Sequence, residues 1–205
     1  MIAILDYGVG NVGSIKNMLK KVGHRSAIVS EASQIKEADK FILPGVGSFD
    51  NGITRLKASS FFEPFEKAVL KEKKPVLGIC IGFQLLFERS EEGRLSGLGW
   101  VKGDIVRFDA SRLDSKLKVP HMGWSNVKNE KGSNLLEGLQ QDPRFYFVHS
   151  YHPDQNAVSN PLLTCQYGYE FTCGIEQAHI MGVQFHPEKS HKYGMKLLSN
   201  FATNY

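Results

Sequence analysis

The sequence predicts an α/β fold, in which a mostly parallel central sheet is flanked by helices and extended by added antiparallel strands. Two observations support this prediction. In the first half of the chain, short apolar runs alternate with segments of helical periodicity, which is typical of βαβ units and a parallel sheet. In the second half, strand-like segments follow one another with few helices between them.

The elements of the first half are predicted from the spacing of apolar residues. The predicted strands are residues 2–6, 27–29, 40–43 and an apolar run from Val76 that leads into Cys80. Helical spacing begins near Asn11, and residues 49–70 are predicted to form one or two helices.

A change of pattern begins in the glycine-richer stretch of residues 93–103. The strands predicted after it are residues 103–108, 124–128, 145–151, 162–167, 171–176 and 180–185. A last helix is expected to begin near His191. Because no linker separates the two halves, we expect residues 1–205 to form a single domain.

Composition argues against several classes of protein. The formal net charge is +4 and the basic residues are scattered, so no nucleic-acid-binding surface is predicted. No apolar run approaches the roughly twenty residues that a membrane span needs, and the chain starts directly with a predicted strand, so a cytoplasmic protein is expected. The cysteines show no metal-ligand spacing, and neither a metal nor a cofactor is expected; Cys165 and Cys173 are predicted to be inert core thiols.

The most informative segment places a cysteine between two glycines, where an apolar strand gives way to helical spacing. Gly78 and Gly82 flank Cys80, and the helical spacing continues to Arg89. This G-x-C-x-G pattern is the thiol form of the nucleophile elbow, a turn too tight for side chains on its flanks. The N–H groups at the start of the following helix favour thiolate over thiol. Cys80 is therefore predicted to be a nucleophile.

A base for this thiol is predicted near the C-terminus of the sequence. Because Pro187 biases the residue before it toward extended backbone, His186 and Glu188 should fall on one side of the chain. The carboxylate would then orient the imidazole, and the imidazole would polarise the thiol. The alternative, an ordinary core or surface histidine at His186, is disfavoured by the neighbouring Glu188 and the available Cys80.

Five segments together resemble the class I glutamine amidotransferases, a family with a Cys-His-Glu triad. They are Pro44-Gly45-Val46-Gly47-Ser48-Phe49, the Cys80 elbow, Pro120-His121-Met122-Gly123-Trp124, Phe147-Val148-His149-Ser150-Tyr151 and Gln184-Phe185-His186-Pro187-Glu188-Lys189-Ser190. The resemblance covers essentially the whole chain, and within the family the chain resembles the glutaminase subunits of imidazole glycerol phosphate synthases. It implies the fold of that family and makes Cys80, His186 and Glu188 the catalytic triad.

The resemblance also implies which residues surround the substrate. The oxyanion donors that it implies are backbone N–H groups of Gly45, Val46, Gly47 and Ile81. The substrate-binding residues that it implies are Gln84, Glu92, His149, Ser150 and Tyr151. Three alternatives stay open: a simple strand-ending turn at residues 44–47, a helix-surface position for Gln84, and a solvated charge at Glu92.

A docking face for a partner is implied as well. The residues assigned to it are Asn11, His121, Met122, Trp124 and Lys189. Residues 121–124 form an aromatic and sulfur-rich cluster in a loop-like stretch, and exposed apolar loops often mark an interface. The alternative is that Trp124 caps the core.

The implied activity is hydrolysis of L-glutamine to glutamate and ammonia through a thioester on Cys80. All the matched motifs belong to the glutaminase, so a separate synthase subunit is implied as acceptor. In the family this partner is a (β/α)₈ barrel that forms a heterodimer with the glutaminase and uses the ammonia in histidine biosynthesis. The glycine-rich residues 44–47 can hold an N–H away from the oxyanion until the partner binds, so allosteric activation is predicted.

Three departures from the family pattern leave the acceptor pathway open. Gly13 stands where Arg or His is common, His152 stands where Tyr or Arg is more usual, and residues 167–171 differ from the common form. Such features resemble a paralogous branch that supplies ammonia for amidino sugars in surface polysaccharides. A stand-alone γ-glutamyl hydrolase and a degenerate regulatory subunit are further alternatives; the docking segment argues against the first and the intact triad against the second.

Overall fold

The computed structural model describes residues 1–139 and 143–205. The helices are α1 (Val12–Lys21), α2 (Ala32–Ile35), α3 (Phe49–Ala58), α4 (Phe62–Leu70), α5 (Ile81–Gln84) and α6 (His191–Asn204). The strands are β1 (Ile2–Leu5), β2 (Ser26–Val29), β3 (Lys40–Leu43), β4 (Val76–Ile79), β5 (Arg89–Ser90), β6 (Asp104–Arg107), β7 (His121–Asn129), β8 (Arg144–His149), β9 (Tyr151–Pro153), β10 (Leu163–Tyr167), β11 (Tyr169–Gln177) and β12 (Ile180–Val183). Short 3-10 turns lie at Ala110–Arg112, Asn134–Leu136 and Pro187–Lys189.

Within the described residues, the larger sheet has nine strands in the order β2-β1-β3-β4-β12-β11-β10-β7-β8. Neighbouring strands are parallel from β2 to β12 and antiparallel from β12 to β8. Strands β1, β3, β4 and β12 are buried at every position, which requires cover on both faces of the sheet. The predicted α/β fold, with a parallel sheet extended by antiparallel strands, is confirmed.

The strand order differs from the prediction in one respect that matters for the site. The second half of the chain was expected to add only antiparallel strands, but β12 returns to the centre of the sheet and lies parallel to β4.

Helix α1 packs against α6, whereas α3 packs against α4 and α5. Within the described chain, no helix is both long and apolar enough to span a membrane.

Strands β5, β6 and β9 form a separate small sheet that the sequence did not predict. The predicted strand over residues 145–151 is divided between the two sheets, because β8 ends at His149 and β9 begins at Tyr151. Ser150 lies at the break, and its carbonyl oxygen accepts a hydrogen bond from the Phe108 N–H (3.0 Å). The chain therefore changes sheets within the segment that the resemblance assigns to substrate binding.

Local hydrogen bonds explain where the predicted helices begin and end. The Asn11 side chain accepts a hydrogen bond from the Ser14 N–H (3.4 Å) and caps helix α1. Residues 49–70 form two helices because Ser59 adopts extended backbone, and its hydroxyl donates to the Leu56 carbonyl (2.6 Å) at the end of α3.

Helix α5 is much shorter than predicted. It was expected to run from Ile81 to Arg89, but it ends at Gln84. The Leu85 carbonyl, which a continuing helix would offer to the Arg89 N–H, instead accepts a hydrogen bond from the Leu98 N–H (2.8 Å). Pairing with this later segment replaces the second helical turn and leaves Arg89 in strand β5.

Candidate active site

The predicted nucleophile and base are brought to one place because their strands are neighbours. Strands β4 and β12 run parallel, with Ile79 opposite Val183, and the Cys80 N–H donates to the Val183 carbonyl (2.9 Å). Cys80 directly follows β4, and His186 lies shortly beyond the end of β12. Both side chains therefore lie at the carboxyl edge of the sheet, where ligands bind in open α/β folds.

Cys80 lies on a strained turn that its glycine neighbours make possible. Its φ is 55°, in the left-handed region that residues other than glycine rarely adopt. A Cβ on Gly78 would lie 2.8 Å from the Gly82 carbonyl oxygen, and a Cβ on Gly82 would overlap the Leu43 carbonyl. The prediction that this turn is too tight for side chains on its flanks is confirmed.

His186 and Glu188 form a buried pair. Nδ1 of His186 lies 2.8 Å from Oε1 of Glu188, and the two side chains are 1% and 2% exposed. His186 has extended backbone, as its proline neighbour predicts, but Pro187–Lys189 forms a 3-10 turn. This turn, and not an extended segment, brings the carboxylate back to the ring, which corrects the predicted geometry.

The groups around His186 favour its protonated form. Burial alone lowers the pKa of His186, but the hydrogen bonds and charges of Cys80 and Glu188 outweigh burial and raise it to about 10. Since Nδ1 faces Glu188, the interaction with the Cys80 sulfur falls to Nε2, which has no regular hydrogen-bond partner among the described residues. An imidazolium in this position stabilises a thiolate on Cys80.

A cleft of about 500 Å³ opens at Cys80 and fits a ligand of amino-acid size. The predicted site residues that line it are Val46, Gly47, Cys80, Ile81, Gln84, Glu92, His149, Ser150, Tyr151 and His186. The predicted docking residue Lys189 also lines it, together with Pro120 and Val148. Gly45 and Glu188 lie behind this lining, against Ile81 and His186. In the described chain, no cluster of three or more His, Cys, Asp or Glu residues is placed to hold a metal ion.

Gln84 and Glu92 face the cleft and not the bulk solvent. Gln84 is 2% exposed, and its Nε2 donates to the Tyr151 carbonyl oxygen (3.2 Å) and to Oε1 of Gln184 (3.1 Å). Oε2 of Glu92 accepts a hydrogen bond from the Phe49 N–H (2.7 Å), and burial raises the pKa of Glu92. A helix-surface Gln84 and a freely solvated Glu92 are therefore wrong as alternatives.

The segment predicted to bind the oxyanion does not leave all of its donors free. The Ile81 N–H donates to the Gly45 carbonyl oxygen (3.4 Å), so a carbonyl occupies a donor that an oxyanion would need. The Tyr7 hydroxyl donates to the neighbouring Pro44 carbonyl. Burial, reinforced by the charge of Cys80, raises the pKa of Tyr7, so the phenol remains a donor. In this conformation, one of the donors predicted to bind the oxyanion is therefore already engaged.

The predicted docking residues are only partly on the surface. Met122 and Trp124 are 61% and 41% exposed, and they lie in strand β7 and not in a loop. Trp124 stacks on His191, with ring centroids 5.5 Å apart, so it does not cap the core. His121 is 1% exposed because alternate residues of a strand point to opposite faces, and its predicted place in an interface is wrong. The other predicted docking residues, Asn11 and Lys189, are exposed.

Two of the unusual residues of the sequence, His152 and Tyr169, contact each other outside the lining of the cleft. Nδ1 of His152 donates to the Pro153 carbonyl (2.7 Å), and its Nε2 accepts a hydrogen bond from the Tyr169 hydroxyl (2.9 Å). The Arg112 guanidinium lies over the Tyr169 ring, 4.0 Å from its centroid. His152 and Tyr169 therefore form a matched pair, whereas Gly13 is exposed on helix α1.

Two residues close to Cys80 were not predicted as part of the site. Gln184 is fully buried, and its Nε2 lies 3.9 Å from the Cys80 sulfur. It precedes His186 by two positions, so the alternation of side chains along extended backbone was a signal that could have found it. Tyr7 gave no such signal, because the carbonyl that it contacts belongs to Pro44, 37 positions away.

Comparisons with known proteins agree on one family. The family model described as glutamine amidotransferase class-I matches residues 3–205. A relative from Methanococcus maripaludis, named imidazole glycerol phosphate synthase subunit HisH 2, is 51% identical over 98% of this chain and 98% of its own length. A relative from Leptospira borgpetersenii, named imidazole glycerol phosphate synthase subunit HisH, is 42% identical over 99% of this chain and 100% of its own length. The solved structure of PurLQS from Thermotoga maritima matches 100% of this chain and 97% of its own, with a TM-score of 0.74 and 18% identity, a likeness of fold alone.

Proposed function

The chain belongs to the class I glutamine amidotransferases, and from this premise we propose that it hydrolyses the side-chain amide of L-glutamine with Cys80 as nucleophile. The observation that carries the proposal is the strained Cys80 turn beside His186, whose Nδ1 lies 2.8 Å from Glu188. A thiol next to an oriented imidazole suits nucleophilic acyl transfer. We propose that residues 1–205 act together as this glutaminase.

In the first half of the reaction, the Cys80 thiolate attacks the amide carbon and the carbonyl electrons move onto the oxygen. The oxyanion then collapses, the C–N bond breaks, and the leaving nitrogen takes the proton from Nε2 of His186. Ammonia departs and a γ-glutamyl thioester remains on Cys80. Glu188 orients the ring through Nδ1 and stabilises the imidazolium until the proton is transferred.

In the second half of the reaction, neutral His186 takes a proton from a water molecule while the water oxygen attacks the thioester carbon. Collapse of this intermediate expels the Cys80 thiolate and leaves the imidazolium in place. The released γ-carboxyl group of glutamate then ionises. The cycle returns to a charged Cys80 and His186 pair, which agrees with the raised pKa of His186.

The polar lining of the cleft supports glutamine as the substrate. We assign the α-ammonium group to Glu92, a half-buried carboxylate on the cleft wall. Oε1 of Gln84 is buried without a partner among the described residues, so it is available to an N–H donor of the substrate. We assign the α-carboxylate end to backbone groups of His149, Ser150 and Tyr151, which also line the cleft.

We propose that a separate synthase subunit uses the ammonia. The names of the two relatives describe a subunit of imidazole glycerol phosphate synthase. By analogy this chain is the glutaminase subunit of such a synthase in histidine biosynthesis, in a heterodimer with a (β/α)₈ barrel. Exposed Met122 and Trp124 on β7 supply an apolar docking face of the kind that anchors interfaces, with Asn11 and Lys189 as its polar contacts.

The resting oxyanion site supports activation by that partner. The loss of one oxyanion donor costs roughly a hundredfold or more in rate. Turning the peptide between Gly45 and Val46 would remove the carbonyl from the Ile81 N–H and present the Val46 N–H in its place. We propose that the docked partner, with its own ligand bound, favours the turned conformation.

A second candidate shares this chemistry but serves another pathway, the amidination of surface sugars. The M. maripaludis relative carries the numeral 2 in its name, which is consistent with more than one such subunit in an organism. Gly13 lies exposed on helix α1, two positions after the proposed docking residue Asn11 that caps this helix. A change there would alter the choice of partner and leave the cleft as it is.

Complementation tests the proposed function and separates the two pathways. The chain is expressed in cells that lack the histidine-pathway glutaminase but keep the barrel subunit, and growth without histidine is expected. Cys80→Ala is the inactive control. If growth fails with that barrel and the chain instead binds a barrel encoded beside sugar amidotransferase genes, the second candidate is correct.

A further inference from the structure

A hydrogen-bonded series of side chains connects strand β7 with the cleft, and the proposed mechanism does not use it. The hydroxyl of Ser125 lies 2.8 Å from Nε2 of His121, and Nδ1 of His121 lies 3.0 Å from Nε2 of His149. Nδ1 of His149 lies 2.8 Å from the carbonyl oxygen of Tyr151. His121 and His149 are buried and stand opposite each other in the register of β7 and β8.

The position of every hydrogen in this series follows from its last member. A carbonyl oxygen only accepts hydrogen bonds, so Nδ1 of His149 carries its proton. Burial keeps both rings neutral, because it lowers the pKa of His121 to about 4 and that of His149 well below the ordinary value. Nε2 of His149 must then accept from Nδ1 of His121, and Nε2 of His121 must accept from the Ser125 hydroxyl.

The series ends on a group that sets the orientation of a cleft residue. The Tyr151 carbonyl oxygen also accepts a hydrogen bond from Nε2 of Gln84 (3.2 Å), which donates in addition to Oε1 of Gln184 (3.1 Å). With its nitrogen held by two acceptors, the Gln84 amide leaves Oε1 without a partner among the described residues. The orientation of this acceptor thus depends on the place of the Tyr151 carbonyl.

We propose that His121 is a positioning residue for the glutamine site, which acts through His149 and the Tyr151 carbonyl to orient Gln84. The proposal rests on the proposed glutaminase function. Stacking restrains the His121 ring, whose centroid lies 4.0 Å from that of Tyr167 and 4.7 Å from that of Phe147. A ring held between two others fixes the donor that it presents to His149.

Two substitutions of His121 separate positioning from packing. His121→Phe keeps an aromatic ring but leaves the buried Nε2 of His149 without a donor, whereas the side-chain amide nitrogen of His121→Asn lies near the position of Nδ1 and still donates. For His121→Phe we expect the KM for glutamine to rise about tenfold, since an unpaired buried acceptor has a cost of that order, with kcat within about threefold. His121→Asn should return the KM to within about threefold of the wild-type value.

His152→Phe is the matched control for lost packing. His152 is a second buried histidine that packs on Phe108, as His121 does, and its hydrogen bonds go to Tyr169 and Pro153 and not to the series. This variant should lower the melting temperature while leaving the KM for glutamine unchanged. An unchanged KM in His121→Phe, or an equal rise in His152→Phe, would overturn the proposal.

Nitrogen NMR of the histidine rings provides a readout that does not depend on turnover. In the wild-type chain and in His121→Asn, His149 should be neutral with its proton on Nδ1, and the Gln84 side-chain amide should give one set of signals. In His121→Phe, the Gln84 signals should shift. A proton on Nε2 of His149 in the wild-type chain would overturn the proposal even if glutamine is hydrolysed. If the wild-type chain hydrolyses no glutamine with or without a barrel partner, the proposed function fails. The spectra still show whether the hydrogen-bonded series has the proposed arrangement of hydrogens and orients Gln84.

Discussion

Two kinds of buried histidine lie at or behind the cleft, and their surroundings shift their pKa values in opposite directions. His186 is paired with Glu188 and faces Cys80, and its pKa is raised to about 10. His121 and His149 are hydrogen-bonded to each other, and burial lowers the pKa of His121 to about 4 and that of His149 well below the ordinary value. A neighbouring anion, and not burial as such, decides whether a buried histidine is charged.

This difference in charge state suits His186 to proton transfer, and it suits His121 and His149 to holding neighbouring groups in place. A histidine that exchanges a proton with a leaving group needs partners that tolerate both of its charge states, as a carboxylate and a thiolate do. A neutral pair with one possible arrangement of hydrogens can only hold other groups in place. We therefore expect different consequences when the groups that contact His186 are removed and when the hydrogen bonds of His121 and His149 are removed.

The largest effect is expected when the Cys80 sulfur beside His186 is removed. Cys80→Ala should abolish glutamine hydrolysis, while its complex with the proposed synthase partner should still form product from added ammonium salts, because we propose that the acceptor chemistry belongs to the partner. Glutamate release and synthase product are measured in parallel. Cys165→Ser is the control, since burial raises the pKa of the Cys165 thiol to about 12. If Cys165→Ser loses glutaminase activity and Cys80→Ala keeps it, the nucleophile is Cys165 and not Cys80.

A smaller effect is expected when the carboxylate is neutralised. Glu188→Gln keeps the shape but loses the charge that stabilises the imidazolium, and we expect kcat to fall on the order of a thousandfold with little change in glutamine binding. Steady-state kinetics and direct binding of glutamine separate these effects. Turnover equal to that of the wild type would mean that Glu188 has no orienting role.

The pH dependence of stability should differ in sign between the two groups. The folded pKa of His121 is below its unfolded value, so its stabilisation is present above about pH 6.5 and is lost as the pH falls toward 4, by about 3 kcal/mol in all. The folded pKa of His186 is raised, so its stabilisation is present below about pH 6.5 and is lost as the pH rises toward 10. Urea unfolding as a function of pH measures both. His121→Phe should flatten only the acid side, and an unchanged acid slope would contradict the assignment.

The smallest effect is expected at the oxyanion segment. Tyr7→Phe removes the hydroxyl that donates to the Pro44 carbonyl, and we expect the glutaminase activity of the isolated chain to rise by about fivefold, because the resting conformation loses a hydrogen bond of about 1 kcal/mol. Activation by a partner should decrease by the same factor. Tyr205→Phe is a control that loses a hydroxyl contact to Glu176. A decrease in the activity of Tyr7→Phe would show that the hydroxyl supports the active conformation instead.

The sequence predicted best where the structural signal is local. The Cys80 turn is encoded within five residues, and the need for Gly78 and Gly82 follows from the lack of space around it. The parallel strands β1, β3 and β4 were predicted because each is a short apolar run that is buried on both faces. The pairing of His186 with Glu188 was also predicted from their spacing of two residues, although a 3-10 turn and not extended backbone produces it.

The sequence predicted least where contacts join distant segments. The bond between His121 and His149 spans 28 positions and depends on the register of β7 with β8. The end of helix α5 depends on the Leu98 N–H, which no local pattern connects with the Leu85 carbonyl. His121 was assigned to the docking face with Met122 and Trp124, as part of an aromatic and sulfur-rich cluster in a stretch that resembled a loop, whereas the stretch is a strand and its alternation buries His121.

The most direct test of the central claim is to identify the residue that carries the glutamyl group during turnover. The chain and its synthase partner are mixed with glutamine, quenched in acid within one turnover and digested, and the cysteine-containing peptides are analysed by mass spectrometry. A glutamyl thioester is predicted on the peptide that contains Cys80, with Cys165 and Cys173 unmodified. A glutamyl group on Cys165 or Cys173, or glutamate release by Cys80→Ala, would contradict the account.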